Sequence, residues 1–211
     1  MMVELYGRPP KKLPSLLVAI NRFNRSHRPA AWQDVVVDLS IGLEAAFSTA
    51  EREDLTLALR SRAAHLLALP GDPADRIFAD VGELLALRGR VVHGSVVEES
   101  HWTNLFARHG INQIMPRDRL EVAFDRWRDL LRRAILARLL LSEVGGPGVT
   151  SWPLLGGKDS IDGQLIGPRG RRAWRHLIRT RAAELGIARA WRRSEPLHDY
   201  LHDPWGDDLA N

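Results

Sequence analysis

Apolar residues recur at the α-helical period along most of this chain, and nowhere in residues 1–145 is there a convincing strand alternation. Trp32, Val35, Val36, Leu39, Leu43, Ala46 and Phe47 make one stripe. Leu59, Ala63, Leu66 and Leu67 make a second, which Pro70-Gly71 stops. Asp72-Pro73 opens a third helix through Ile77, Val81, Leu84, Leu85, Val91 and Val92. A fourth, long helix starts at Pro116 and runs through Phe124, Trp127, Leu131 and Ile135 towards Gly145-Gly146. Pro14 to Phe23 gives a shorter helical pattern, and 95–115 holds at most a short helix around Trp102 to Arg108. Pro29 marks a helix start, and Ser48 to Glu51 has the form of a capping box. The fold class is all-α: an antiparallel bundle over 30–145, preceded by an N-terminal helical segment, 1–29.

The apolar fraction of 45% suffices for a sizeable core, and a charged fraction of 27% is that of an ordinary globular chain. The absence of cysteine excludes disulfides, thiolate zinc sites and a cysteine nucleophile, and fits a reducing compartment. The N-terminal stretch carries prolines and charges where a signal peptide needs an apolar core. The most apolar run, 134–141, is too short to span a bilayer and contains Arg138. The expectation is a cytoplasmic protein with no membrane contact.

Composition changes after the fourth helix. Residues 144–167 hold seven glycines and two prolines, which reads as a linker over 146–167. Pro168 to Trp191 is helical in pattern, and 168–193 carries nine arginines against Glu184. The last segment, 194–211, reverses the charge with Glu195, Asp199, Asp203, Asp207 and Asp208. Arg171, Arg172, Arg175 and Arg179 could hold nucleic-acid phosphates while Trp174 stacks on a base. The alternative is a solvated helix face whose tryptophans anchor it to the bundle. The acidic tail could screen this face.

Arg88 and His93 attract attention because His93 stands at the end of a long amphipathic helix, just before Gly94. Glycine there can close the helix in the left-handed conformation. The spacing itself selects nothing: Arg22/His27, Arg60/His65, Arg171/His176 and Arg193/His198 share it. His65 reads as a packing or surface histidine, and a histidine at a helix C-terminus can simply cap carbonyls.

Three segments in order carry more weight: DLSIGLEAAF (38–47), LALRSRAAHLLA (57–68) and DRIFADVGELLALRGRVVHGS (75–95). Together they resemble the Apea-like group of HEPN domains over about residues 30–145. The resemblance implies a HEPN-like helical bundle that forms a homodimer with the Arg-x4-His motif at the interface. Active members of that superfamily are metal-independent endoribonucleases, and others are non-catalytic modules that bind RNA, nucleotide or a protein. Many active members carry a polar residue directly after the arginine, where this chain has Gly89. The setting implied is defence or toxin–antitoxin, with an antitoxin or other protein as partner.

RNA can be cut without a metal when its 2′-OH attacks the adjacent phosphate. A base, an acid and a cation are then required; histidine serves either proton-transfer role, and arginine grips phosphate oxygens. Residues five apart on a helix lie about 140° apart, whereas Arg90 is about 60° from His93, so Arg90 could share the role of Arg88. No cofactor or metal is called for. GGKDS (156–160) lacks the spacing of a phosphate-binding loop. His198 and His202 could bind a metal on a helix but read as an exposed tail.

Overall fold

The computed structural model describes residues 14–28, 30–47, 55–109, 116–142 and 161–192. The described residues are mostly helical, and no strand occurs among them. The helices are α1 (Pro14–Ser26), α2 (Trp32–Phe47), α3 (Leu55–Leu67), α4 (Ala74–Val92), α5 (Glu99–His109), α6 (Pro116–Ser142), α7 (Ile161–Ile166), α8 (Pro168–Glu184) and α9 (Ala188–Trp191). Each long helix carries one apolar stripe, and the stripes can leave water only by meeting one another.

The outcome departs from the sequence pattern in three places. α7 forms within the expected glycine-rich linker, because Leu165 is buried and Asp162 meets Arg62 of α3 at 2.5 Å. The basic segment breaks into α8 and α9 at Gly186, whose φ of +69° ends α8. α8 is no detached extension: Trp174, Ile178 and Ala182 join the same core cluster as α2, α4 and α6. The capping box at 48–51, the linker as far as residue 160, and the acidic tail lie outside the described residues. Among the described residues, no helix is long and apolar enough to cross a membrane.

α1 packs against α2, and buried Asp38 binds Arg22 at 2.6 Å and Arg25 at 3.2 Å. Gly42 lets α2 approach α6 closely, since a Cβ there would stand 2.5 Å from Leu131 Cδ2. The link between α3 and α4 is a turn with Gly71 at φ +80°. Backbone hydrogen bonds between Leu69 and Asp72 close it.

That turn delivers Asp72 into the core, with no exposed surface. Arg126 of α6 clamps it with two hydrogen bonds of 2.7 and 2.9 Å. Arg133, one α6 row further on, reaches the same carboxylate. Arg126 also donates from Nε to Asp80 of α4 at 2.8 Å, and Arg133 donates to the Leu67 carbonyl at 2.7 Å. Asp129 stands 3.0 Å from Arg133 Nε. Burial alone would raise the Asp72 pKa, but the hydrogen bonds and charges of the two guanidiniums outweigh it and hold it below 3.8.

Removing Asp72 strips from Arg126 and Arg133 the carboxylate they share, and breaking a buried pair in this way typically costs about 3–5 kcal/mol. Asp72→Asn is therefore expected to lose roughly that much in urea unfolding. A loss below about 1 kcal/mol would overturn this account of the core. Because the folded pKa of Asp72 is depressed, its stabilisation is present above 3.8 and lost as pH falls through the folded value. The wild-type advantage over Asp72→Asn should shrink over that acid range.

Candidate functional site

α4 ends as its sequence predicts, by a backbone device. Gly94 has a φ of +65°. Its N–H donates to the Val91 carbonyl at 3.2 Å, and the Ser95 N–H donates to the Arg90 carbonyl at 2.9 Å. These are the two bonds of a Schellman cap. The carbonyls that a histidine side chain could have capped are therefore already engaged by the main chain. His93 occupies the C-cap position, exposed, and its imidazole has no hydrogen-bond or ion-pair partner among the described residues.

Arg88 lies on another side of α4. Its side chain is 37% exposed, and Nη1 stands 3.6 Å from Oε1 of Glu44 on α2. An ion pair this loose and this wet is worth under about 1 kcal/mol, so it orients the arginine without fixing it. Its buried Nε lacks an acceptor among the described residues. Arg90 is exposed beside His93. Among the described residues, no hydrogen bond or ion pair joins Arg88, Arg90 and His93 to one another. They share one helix end, and Val92 and Val96 expose apolar surface next to them. Gly89 has open space where a Cβ would stand.

The other Arg-x4-His pairs are drawn apart by their surroundings. Arg22 binds Asp38, while His27 packs edge-on against Phe23. Arg60 stacks over Phe78 at 3.9 Å and donates to the Phe78 carbonyl. His65 turns instead towards α8, where its pKa is lowered by burial and by Arg171 and Arg175. Arg193 and His198 lie outside the described residues, as does the His198/His202 pair. Among the described residues, no cluster of three or more histidine and carboxylate groups could hold a metal.

On α8 the predicted residues separate. Trp174 is 7% exposed and its indole N–H donates to Gln164 at 2.6 Å, so it anchors the helix and offers no face for stacking. Arg171 donates to the Leu165 and Ile166 carbonyls at 2.8 and 2.6 Å and caps the end of α7. Arg172 and Arg179 are exposed, and Arg175 is half-buried. Burial lowers the Arg175 pKa, and the charges of Arg179, Arg171 and Arg172 lower it further.

Sequence reasoning missed Glu44 and the pairing of His101 with Glu83, whose Nε2 and Oε1 are 3.3 Å apart. Both depend on contacts between helices. Only Glu44 carried a signal, as the acid in the Leu-Glu-Ala stretch. A cleft of about 370 Å³ between α1, α2 and α6, lined by His27, Trp32, Phe124 and Arg128 among others, takes no residue from α4. No protein-family model, curated protein or solved structure matches the chain.

Gly89 and Gly94 should respond oppositely to alanine. Gly89 sits inside the helix with room for a methyl, so Gly89→Ala should stabilise by about 0.5–1 kcal/mol. Gly94→Ala should destabilise by a comparable or larger amount because of its positive φ. Thermal unfolding of both variants checks this, and a stabilising Gly94→Ala would refute the cap. Separately, Arg175→Gln removes a like charge from beside His65 and should raise the His65 pKa in an NMR titration. An unmoved pKa would show that the two groups do not face each other.

Proposed function

We propose that this chain is a HEPN-type endoribonuclease, of the Apea-like group, that cuts RNA without a metal at a site shared by two copies. One observation carries the reading: a backbone cap satisfies the end of α4 and leaves His93 free at the surface, with Arg88 and Arg90 on the same helix end. Histidine is the side chain suited to give or take a proton near neutral pH.

Two proton transfers are needed in one cleavage. One group takes the proton from the 2′-OH as its oxygen attacks phosphorus. A second protonates the departing 5′-oxygen, leaving a 2′,3′-cyclic phosphate and a free 5′-hydroxyl. Each chain offers one histidine at this helix end, so a second copy supplies the second. The arginines balance the charge gathering on the phosphate oxygens. A defence or toxin–antitoxin role, with a protein partner that restrains cutting, fits such an activity.

A second reading keeps the same surface without the chemistry. Gly89 lacks the polar side chain that many active members carry, and Glu44 stands beside the guanidinium that would serve the phosphate. A non-catalytic HEPN module binding RNA, nucleotide or a protein would tolerate both.

Structured RNA incubated with purified protein in EDTA separates the two. Wild type should produce fragments with cyclic-phosphate ends, and His93→Ala should lower the rate by a hundredfold or more, on the order of a lost acid–base group. Equal cutting by both proteins, or none by either, would sink the catalytic reading.

A further inference from the structure

Four of the six arginines of α8 share one flank, and among the described residues none of the four meets a carboxylate. Arg171, Arg175 and Arg179 follow one another at four-residue steps, about 6 Å apart along the axis. Arg172 lies next to that row, and the four positions fit a sector of about 100° bordering the buried stripe. Arg181, on the opposite flank, pairs with Glu184. Elsewhere Arg22, Arg62, Arg126, Arg128 and Arg133 each meet a carboxylate. Among the described residues, no carboxylate pairs with Arg171, Arg172, Arg175 or Arg179. Arg175 spends Nε on the Arg171 carbonyl and its two terminal nitrogens have no described partner.

α3 supplies the other wall. α8 packs against α3, where His65 lies within reach of the charges of Arg171 and Arg175. An imidazole and a row of guanidiniums thus share one strip of surface. Arginines held this close repel one another, and an anion that enters the strip removes the repulsion while gaining charge-assisted hydrogen bonds.

We propose that the Arg171–Arg175–Arg179 row, with Arg172 beside it and His65 across from it, is a track for the phosphates of a single nucleic-acid strand. The regular spacing favours a repeating polyanion over a single phosphate; Arg172, Arg175 and Arg179 can each take one phosphate of the strand, while Arg171, held by the α7 carbonyls, adds its charge at the start of the row. The track reads no bases: Trp174, the aromatic side chain within the row, is buried in the core. It stands apart from the end of α4 and holds a strand whether or not that strand is cut.

A 2′-O-methyl oligonucleotide is the probe, since without a free 2′-OH it cannot undergo the proposed cleavage. Its Kd for the full chain is measured across a salt series. Each phosphate contact on a single strand contributes a slope of about −0.7 in log affinity against log salt. The triple variant Arg172→Gln, Arg175→Gln, Arg179→Gln should flatten that slope by about 2. Arg28→Gln with Arg76→Gln removes two charges elsewhere and should flatten it less than Arg175→Gln with Arg179→Gln. Equal effects of the two pairs would reduce the track to net charge and overturn it.

A second readout uses the unaltered chain. The His65 ring signals should shift when the oligonucleotide is added, and stationary signals would overturn the placement. A third arm is a full-length variant with Glu195, Asp199, Asp203, Asp207 and Asp208 neutralised. Strand binding by this variant alone, with none by the wild type, would make the chain's own acidic segment the occupant and overturn the proposal. The result bears on binding only: a strand can hold to α8 while His93 proves inert, and cutting can persist with α8 neutralised.

Discussion

Asp72 accepts hydrogen bonds from two guanidiniums in a place water does not reach, and the arrangement of the bundle hangs on that contact. A carboxylate and two arginines are poor core material one at a time, because each leaves solvation behind. Together they are mutually dependent. Arg126 joins Asp72 to Asp80, and Arg133 joins Asp72 to the last turn of α3 through the Leu67 carbonyl. The α3–α4 turn, the start of α4 and the middle of α6 are thereby fixed to one another. Apolar packing would accept several rotations of α4 about its axis; directed hydrogen bonds to Asp72 and Asp80 accept far fewer. This is specificity of arrangement more than net stability, since a well-packed apolar substitute for such a network can be as stable.

The helices were legible because their apolar stripes recur at 3.6 residues, and the end of α4 was legible because Gly94 marks it. The network was not. Arg126, Asp129 and Arg133 recur at helical spacing beside Trp127, Leu130 and Ala134, so charge stands inside the apolar stripe of α6. Read locally, such residues suggest a solvated face, and only contacts more than 45 residues apart in sequence show otherwise. α7 was hidden for the reverse reason. The seven glycines of 144–167 describe a flexible segment, yet burial of Leu165 and the grip of Arg62 on Asp162 make a short helix worthwhile.

The repeated Arg-x4-His spacing shows how little a pattern means without its surroundings. In α1 the arginine serves Asp38, and in α3 it serves the ring and carbonyl of Phe78. At the end of α4 the arginine is loosely held and the histidine is spared. The sparing comes from Gly94: by taking a positive φ it brings two backbone N–H groups onto the terminal carbonyls. Glu44 of α2 stands 3.6 Å from Arg88 Nη1, a contact between helices that spacing along α4 does not reveal.

The two ends of α4 therefore differ in kind. Near its start, Asp80 is locked to α6 through Arg126, and the Asp80 carbonyl accepts from Trp127 at 3.0 Å. At its finish, residues 92–96 are exposed, with two valines among them. A helix held firmly at one end and bare at the other suits a site assembled from two copies. Reacting groups must meet within fractions of an ångström, which calls for rigid support behind them. In the proposed two-copy site they would also stay uncovered until the second copy arrives. In this fold the buried Asp72 network provides the first condition, and the glycine-closed cap provides the second.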